Sequence, residues 1–415
     1  MLKGYEELRT GLIGEKLGHS FSPQIHARLG DHRYELFEMQ ESDVGRFLRS
    51  ATFDALNVTI PYKKTVIPFL SSLSDEAKKI GAVNTVVRHK DGSLRGDNTD
   101  YYGFSYLVEK SGIAVKGEKV LILGSGGASN TAVAVMRDMG AREVVVISRS
   151  GEHHYGNLDR HADAAVIVNT TPVGMYPNNG NAPLSLSLFP HCKGVIDVIY
   201  NPAKTALLLD AEARGISFAN GLSMLVAQAK RAVELFTGEG IPDAEIDVIT
   251  EAVAREARNI VLVGMPGCGK STVARHLARI TGRPAVDTDE VTEALLGRPI
   301  PDVIRDEGED FFRRAETEAA RSVGKRSGHV IATGGGIVTR RENYASLREN
   351  SVIVWLRRDV SCLATCNRPL SKDKDALLKM YETREPMYRE IADAVYDVCE
   401  SDFSVTANQI AKELL

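Results

Sequence analysis

The run GMPGCGKST at residues 264–272 constrains this chain more than any other stretch. Gly264, Gly269, Lys270 and Ser271 satisfy Gly-x-x-x-x-Gly-Lys-Ser/Thr, a loop whose backbone N–H groups cradle phosphates at the start of a helix. NIVLV supplies the strand that such a loop needs before it. A loop of this kind ordinarily follows the first strand of its domain, yet more than half of the 415 residues precede it. At least one further domain must lie upstream, and the length suits two or three.

Strand-like and helix-like runs alternate throughout, which predicts α/β layers with parallel sheets. Three blocks are expected. Residues 1–110 hold GLIGE, YELFEM, ALNVTI and AVNTVVRH as strands. Residues 111–257 hold KVLIL, EVVVI, AAVIV, GVIDVIY and ISFAN, then helices over 221–257 that return to the first block. Residues 258–415 form the P-loop block, entered from a helical stretch with no Gly/Ser spacer. A net charge of −4 provides no overall basic field for nucleic acid. No apolar run reaches the ~18 residues of a membrane helix. The acidic N-terminus does not read as a signal peptide, and five scattered cysteines (Cys192, Cys268, Cys362, Cys366, Cys399) suit a reducing compartment. The expectation is a cytoplasmic enzyme acting on small molecules, without nucleic acid or membrane partners.

The middle block opens on VLILGSGGASNTAVAVM, a strand, a Gly-rich turn and a helix. Gly124 and Gly126 fill the first two positions of Gly-x-Gly-x-x-Gly, Ser129 takes the third, and Gly127 and Ala128 lie between, as for a pyrophosphate on a helix N-terminus. The next strand ends in Ser148-Arg149-Ser150, where an NAD site would carry an acidic residue. An arginine flanked by hydroxyls suits a 2′-phosphate, so the cofactor expected is NADP(H). Residues 151–163 have little apolar periodicity, so the usual crossover helix is expected to be short or missing.

In the first block small polar groups gather at strand ends and helix starts: Ser20 and Ser22, then Asn57, Thr59 and Lys63, then Asn84, and Asn98, Thr99 and Asp100. Hydroxyls and amides suit a polyhydroxylated ligand, and Lys63 with Asp100 can form an acid/base pair at a carbonyl. In the third block Lys270 reaches for the β/γ-phosphates, Gly267, Gly269 and Thr272 add backbone N–H groups, and Ser271 is a Mg²⁺ ligand. No Asn-Lys-x-Asp for guanine is present, and a small ATP-dependent kinase fits the length. Asp287 and Asp289 lie two residues apart at a predicted strand end; one can serve the metal and the other an acceptor hydroxyl. Arg313 and Arg384 can clamp a carboxylate, and Gly334, Gly335 and Gly336 admit a ligand close to the backbone.

Six motifs in order, SxS before P-x-x-H, NVTxPxK, GAVNT, GDNTD, GxGGA and NGLxMLxxQA, resemble shikimate dehydrogenase over about residues 8–257. The resemblance implies a substrate domain plus a Rossmann-type NADP domain that reduces 3-dehydroshikimate to shikimate. It implies Ser20, Ser22, Asn57, Thr59, Asn84, Tyr200 and Gln228 at the substrate, Lys63 and Asp100 as the catalytic pair, and Gly221 and Met224 beside the nicotinamide. Tyr101 departs from the family pattern. Quinate stays open as another substrate. The third block, through GMPGCGKST, VDTDE, EDFFRRAE, ATGGGIV, NRPL and TREPMYRE, resembles shikimate kinase, with a nucleoside-monophosphate-kinase-like α/β fold. That implies Asp289 as base at shikimate, Asp287 holding Mg²⁺ through water, Arg313, Gly335, Gly336 and Arg384 around shikimate, and Arg368 closing over the phosphates. SCLATCN lacks the basic residue that relatives stack on adenine. One half as a non-catalytic module is the rival reading; the intact Lys63/Asp100 and Lys270/Asp289 sets oppose it.

Overall fold

A computed structural model describes residues 8–18, 21–30, 33–50, 52–363, 374–398 and 402–415. The chain divides into two compact units, residues 1–173, 182–200 and 210–253 in the first, and 174–181, 201–209 and 254–415 in the second.

The first unit contains two sheets. One has the order Tyr34–Glu38, Thr10–Gly14, Ala55–Val58, Thr85–Arg88, Leu94–Asp97, Ser72–Leu73 among the described residues. Its first three strands are parallel, but Thr85–Arg88 runs antiparallel to both neighbours, so this sheet is mixed and the all-parallel expectation fails here. The cause is the short connection after Arg88. Gly92 takes a φ of 86° and donates to His89 O, and a turn that tight can join only antiparallel strands. The second sheet is wholly parallel, in the order Ser217–Ala219, Gly194–Asp197, Val166–Asn169, Lys119–Leu123, Glu143–Ile147. Lys119–Leu123 and Val166–Asn169 are buried along their whole length, as strands covered on both faces must be. Between Glu143–Ile147 and Val166–Asn169 the connection contains only the 3₁₀ turn Tyr155–His161, the shortened crossover that the sequence predicts.

Helix Leu222–Thr237 leaves the second sheet and packs along helix Thr99–Ser111. The fit is close: a Cβ on Gly103 would stand 2.6 Å from Met224 O.

The second unit carries a parallel sheet in the order Ala285–Asp287, Val330–Ala332, Asn259–Val263, Ser351–Arg357, Ala394–Asp397. Helix Ala244–Ala257 leads into strand Asn259–Val263 with only Arg258 between them. Residues 174–181 and 201–209, read from sequence within the middle block, pack into this unit, where Asn179 Nδ2 donates to Glu349 Oε2 at 2.8 Å and Lys204 N to Glu349 O at 2.8 Å. Trp355 and Tyr388 stack at 5.9 Å inside its core. The strand order places the loops after Ala285–Asp287, Val330–Ala332 and Asn259–Val263 side by side at one sheet edge, where ligands of open α/β sheets bind.

Candidate functional site

Each unit has its own candidate site. In the first, Lys63 follows strand Ala55–Val58 in a turn pinned on both sides. Buried Tyr62 donates to Met39 O at 2.5 Å, and Val83 N donates to Lys63 O at 2.8 Å. Asp100 lies in the first turn of helix Thr99–Ser111, capped from a distance because Thr99 N donates to Asn84 Oδ1 at 2.7 Å. These anchors bring Lys63 Nζ to 2.5 Å from Asp100 Oδ2, while Asn84 Nδ2 donates to Asp100 Oδ1 at 2.9 Å. Lys63 and Asp100 keep 25% and 15% side-chain exposure, so the pair is sheltered yet reachable. Gln228 joins them as acceptor from Thr99 Oγ1 at 3.4 Å.

Asn57 is buried and its Oδ1 accepts from Tyr34 Oη at 2.7 Å. Thr59 is partly exposed and packs toward Gly14. Ser22 begins helix Ser22–Leu29, and the ring of Tyr200 lies 5.2 Å from that of Phe21 beside it; burial pushes the Tyr200 phenol up. Ser20 lies outside the described residues.

The cofactor candidates sit on the second sheet. Gly124 has a φ of 105°, in the left-handed region that favours glycine, and Gly126 caps helix Gly127–Asp138. Cβ atoms on Gly126 or Gly127 would meet open space, with Ala128 next in the helix, so the helix N-terminus faces a free approach suited to pyrophosphate. Arg149 and Ser150 are exposed beyond the adjacent strand, and Ser148 Oγ donates to Ser150 O. Gly221 caps helix Leu222–Thr237 against Val198 O, and Met224 follows in its first turn.

In the second unit the P-loop residues, Asp287, Asp289, Arg313, Gly334–Gly336 and Arg384 line one cleft of about 730 Å³. Gly269 takes a φ of 104° at the cap of helix Lys270–Thr281. Lys270 Nζ folds back onto Gly264 O at 2.9 Å and Met265 O at 3.0 Å, and Gly267 and Thr272 line the same cleft. Ser271 Oγ donates to Asp287 Oδ2 at 2.7 Å. A hydroxyl and a carboxylate oxygen side by side form a hard donor set that fits Mg²⁺, which keeps its remaining places for water and phosphate.

The picture of both carboxylates at one strand end is corrected. Asp287 ends strand Ala285–Asp287 and caps helix Thr288–Leu296, accepting from Asp289 N at 3.0 Å, so Asp289 belongs to the helix's first turn. An Asp ahead of a helical run prefers to cap, and this shortens the strand. The Asp287 carboxylate meets Ser271 Oγ, while the Asp289 carboxylate lies beside Gly334. Burial first, then the charges of Asp287 and Glu316, push the Asp289 carboxyl up to about 6, against the pull of Lys270 and Arg313.

Arg313 is buried and bound to Glu316 Oε2 at 2.8 Å and Glu309 Oε1 at 2.8 Å. Glu316 was missed from sequence, although its i,i+3 spacing from Arg313 was visible. It is fully buried, and burial raises its carboxyl despite the arginine. Arg384 Nη1 donates to Gly335 O at 3.1 Å, and a Cβ on Gly336 would collide with the Arg313 guanidinium. Arg358 and Phe403, also missed, line the P-loop side of the cleft with the guanidinium 5.2 Å from the ring. Arg368 lies outside the described residues.

Two family models match: the shikimate dehydrogenase substrate-binding domain over residues 12–86 and shikimate kinase over residues 266–415. The NADP(+)-dependent shikimate dehydrogenase of Clostridium perfringens (strain 13 / Type A) is 38% identical over 249 residues, 55% of this chain and 92% of that protein. A chorismate mutase/shikimate 5-dehydrogenase fusion from Clostridium acetobutylicum superimposes with a TM-score of 0.56 at 35% identity, over 59% of this chain and 96% of its own. Shikimate 5-dehydrogenase from Thermus thermophilus, solved with NADP(H) and shikimate, gives 0.54 at 31% identity over 59% and 99%.

Proposed function

Since the chain belongs to the shikimate dehydrogenase family in its first part and carries a shikimate kinase domain in its second, we propose that it performs two consecutive reactions: NADPH-dependent reduction of 3-dehydroshikimate to shikimate, then ATP-dependent phosphorylation of shikimate to shikimate 3-phosphate. The first half rests most on the Lys63–Asp100 pair at 2.5 Å, the second on the single cleft that brings Asp289, Arg313 and Arg384 to the P-loop. Small polyhydroxylated acids as substrates, without nucleic acid or membrane partners, and a cytoplasmic setting complete the proposal. No helix among the described residues is long and apolar enough to cross a membrane.

In the dehydrogenase site NADPH, when bound, supplies the hydride. Lys63 holds the proton that the ketone oxygen receives, and Asp100 orients that ammonium. Ser20, Ser22, Asn57, Thr59, Asn84, Tyr200 and Gln228 hold the ring hydroxyls and carboxylate. Gly124, Gly126, Gly127 and Ala128 take the pyrophosphate, Ser148, Arg149 and Ser150 the 2′-phosphate, and Gly221 and Met224 border the nicotinamide. In the kinase site ATP, when bound, supplies the phosphoryl group. Asp289 takes the acceptor hydroxyl's proton; with its carboxyl raised to about 6 it is ionised at neutral pH and more basic than an ordinary aspartate. Lys270 and Arg368 offset phosphate charge, with Gly267, Gly269 and Thr272 in the cradle, and Ser271 with Asp287 would hold Mg²⁺. Arg313, Gly335, Gly336 and Arg384 hold shikimate.

Arg149→Ala should raise the KM for NADPH about tenfold through lost charge-assisted bonds, with NADH use little changed. Steady-state kinetics with both cofactors checks this; equal use of NADH by the unmutated protein would contradict it. The proposal as a whole is tested on the purified chain by following NADPH oxidation with 3-dehydroshikimate and ADP release with shikimate. Absence of either activity removes that half of the reading, and equal turnover of quinate replaces its substrate.

A further inference from the structure

We propose that Thr85 is a positioning residue of the dehydrogenase site, the middle link of a hydrogen-bond chain from Tyr34 through Asn57, Thr85 and Asn84 to Asp100 in which each donor points toward the carboxylate. The inference rests on the dehydrogenase reading above. Tyr34 Oη donates to Asn57 Oδ1 at 2.7 Å, and Asn57 Nδ2 donates to Thr85 Oγ1 at 3.4 Å. Thr85 Oγ1 donates to Asn84 Oδ1 at 3.1 Å, and Asn84 Nδ2 donates to Asp100 Oδ1 at 2.9 Å. The chain ends where Lys63 Nζ meets Asp100 Oδ2 at 2.5 Å.

The direction follows from counting protons. A threonine hydroxyl has one proton to give. Thr85 accepts from the Asn57 amide, and its nearest acceptor is Asn84 Oδ1; the Thr99 hydroxyl at 3.3 Å is farther. Asn84 spends both amide protons, on Asp100 and on Thr99 Oγ1 at 3.0 Å, and its oxygen accepts from Thr99 N and Thr85, with the Thr99 hydroxyl a third donor within reach at 3.2 Å. A flipped Asn84 would aim its carbonyl at the Asp100 carboxylate and its amide protons at the Thr99 N–H. Asn57 is fixed in the same way, because Tyr34 takes its oxygen and leaves the NH₂ to point at Thr85. Thr85 is fully buried, and Asn57 and Asn84 are 5% and 3% exposed, so water cannot readily replace a lost link. Thr85 touches none of the reacting groups; it acts by orienting Asn84, which in turn orients Asp100.

The test uses the full chain and the variants Thr85→Val, Thr85→Ser and Tyr34→Phe. Thr85→Val keeps the side-chain shape and removes the hydroxyl. It should lower the dehydrogenase kcat about tenfold, the usual weight of one oriented hydrogen bond, while the KM for NADPH and the kinase activity stay unchanged. Thr85→Ser keeps the hydroxyl and should restore kcat. Tyr34→Phe should give a smaller loss, and the Thr85→Val/Tyr34→Phe double variant should be no worse than Thr85→Val, because both lie on one chain. Wild-type kcat in Thr85→Val, equal damage in Thr85→Ser, or additive losses in the double variant would overturn the inference. An unmutated chain that reduces no 3-dehydroshikimate overturns the dehydrogenase reading and this inference together; an active wild type beside an unaffected Thr85→Val overturns this inference alone. Should Thr85→Val fail to fold, seen as the loss of a cooperative thermal transition, Thr85→Ser and Tyr34→Phe still decide between the outcomes.

Discussion

Asp289→Asn is expected to lower the rate of shikimate phosphorylation by about 10²–10⁴-fold, the weight of a positioned general base, while ATP with Mg²⁺ still binds. The amide keeps the shape and cannot accept the hydroxyl proton. The same change should stabilise the ligand-free protein at neutral pH. The folded carboxyl is raised to about 6 from 3.8, so its contribution to stability is full below the lower value and is lost as pH rises through the upper one. At pH 7 the fold therefore carries an ionised group it disfavours, held beside Asp287 and Glu316, and asparagine relieves it. In the unmutated, ligand-free protein the Asp289 carboxyl should ionise as pH passes about 6, which its carboxylate resonance followed against pH would check. Asp287→Asn should behave differently: it loses the carboxylate next to Ser271 Oγ, so the Mg²⁺ requirement should rise before the maximal rate falls. Nucleotide binding, Mg²⁺ titration and thermal melting of both variants check this division, and exchanged phenotypes would exchange the roles.

Lys63→Ala should lower the dehydrogenase kcat by a similar factor, about 10²–10⁴-fold, and leave the kinase untouched. The turn that carries Lys63 is held by the Tyr62 hydroxyl on Met39 O and by Val83 N on Lys63 O, neither of which involves the lysine side chain. The substitution should therefore remove the ammonium without moving the turn. Asp100 loses a partner at 2.5 Å but keeps the Asn84 amide at 2.9 Å. Near-normal reduction of 3-dehydroshikimate by this variant would refute the assignment.

What could be read from sequence was what local patterning encodes. The apolar strands KVLIL, EVVVI and NIVLV, the two Gly-rich turns and the shortened crossover after Ser148-Arg149-Ser150 appear where their residues predict them. The misreadings arose where a local rule met a competing one. Asp287 took a capping role in place of a strand position, which moved Asp289 into a helix. Leu94–Asp97, a short strand with alternating polar residues, carried too weak a pattern to be seen, and with it went the antiparallel pairing. The network around Asp100 joins residues far apart in sequence: Tyr34, Asn57, Thr85 and Gln228 meet it only through sheet register and the packing of Leu222–Thr237 on Thr99–Ser111. Sequence spacing holds no record of those neighbours. Glu316 was hidden for another reason, since a glutamate three residues from an arginine on a helix is ordinarily a surface pair.

The central claim is that one chain carries both consecutive reactions on separate residue sets. The most direct measurement incubates purified chain with 3-dehydroshikimate, NADPH, ATP and Mg²⁺ and follows shikimate 3-phosphate together with both cofactors. One NADPH and one ATP should be consumed per product. Lys63→Ala should stop product formation until shikimate is added, and Asp289→Asn should accumulate shikimate with NADPH consumption intact. Failure of added shikimate to restore Lys63→Ala, or loss of NADPH consumption in Asp289→Asn, would contradict the account.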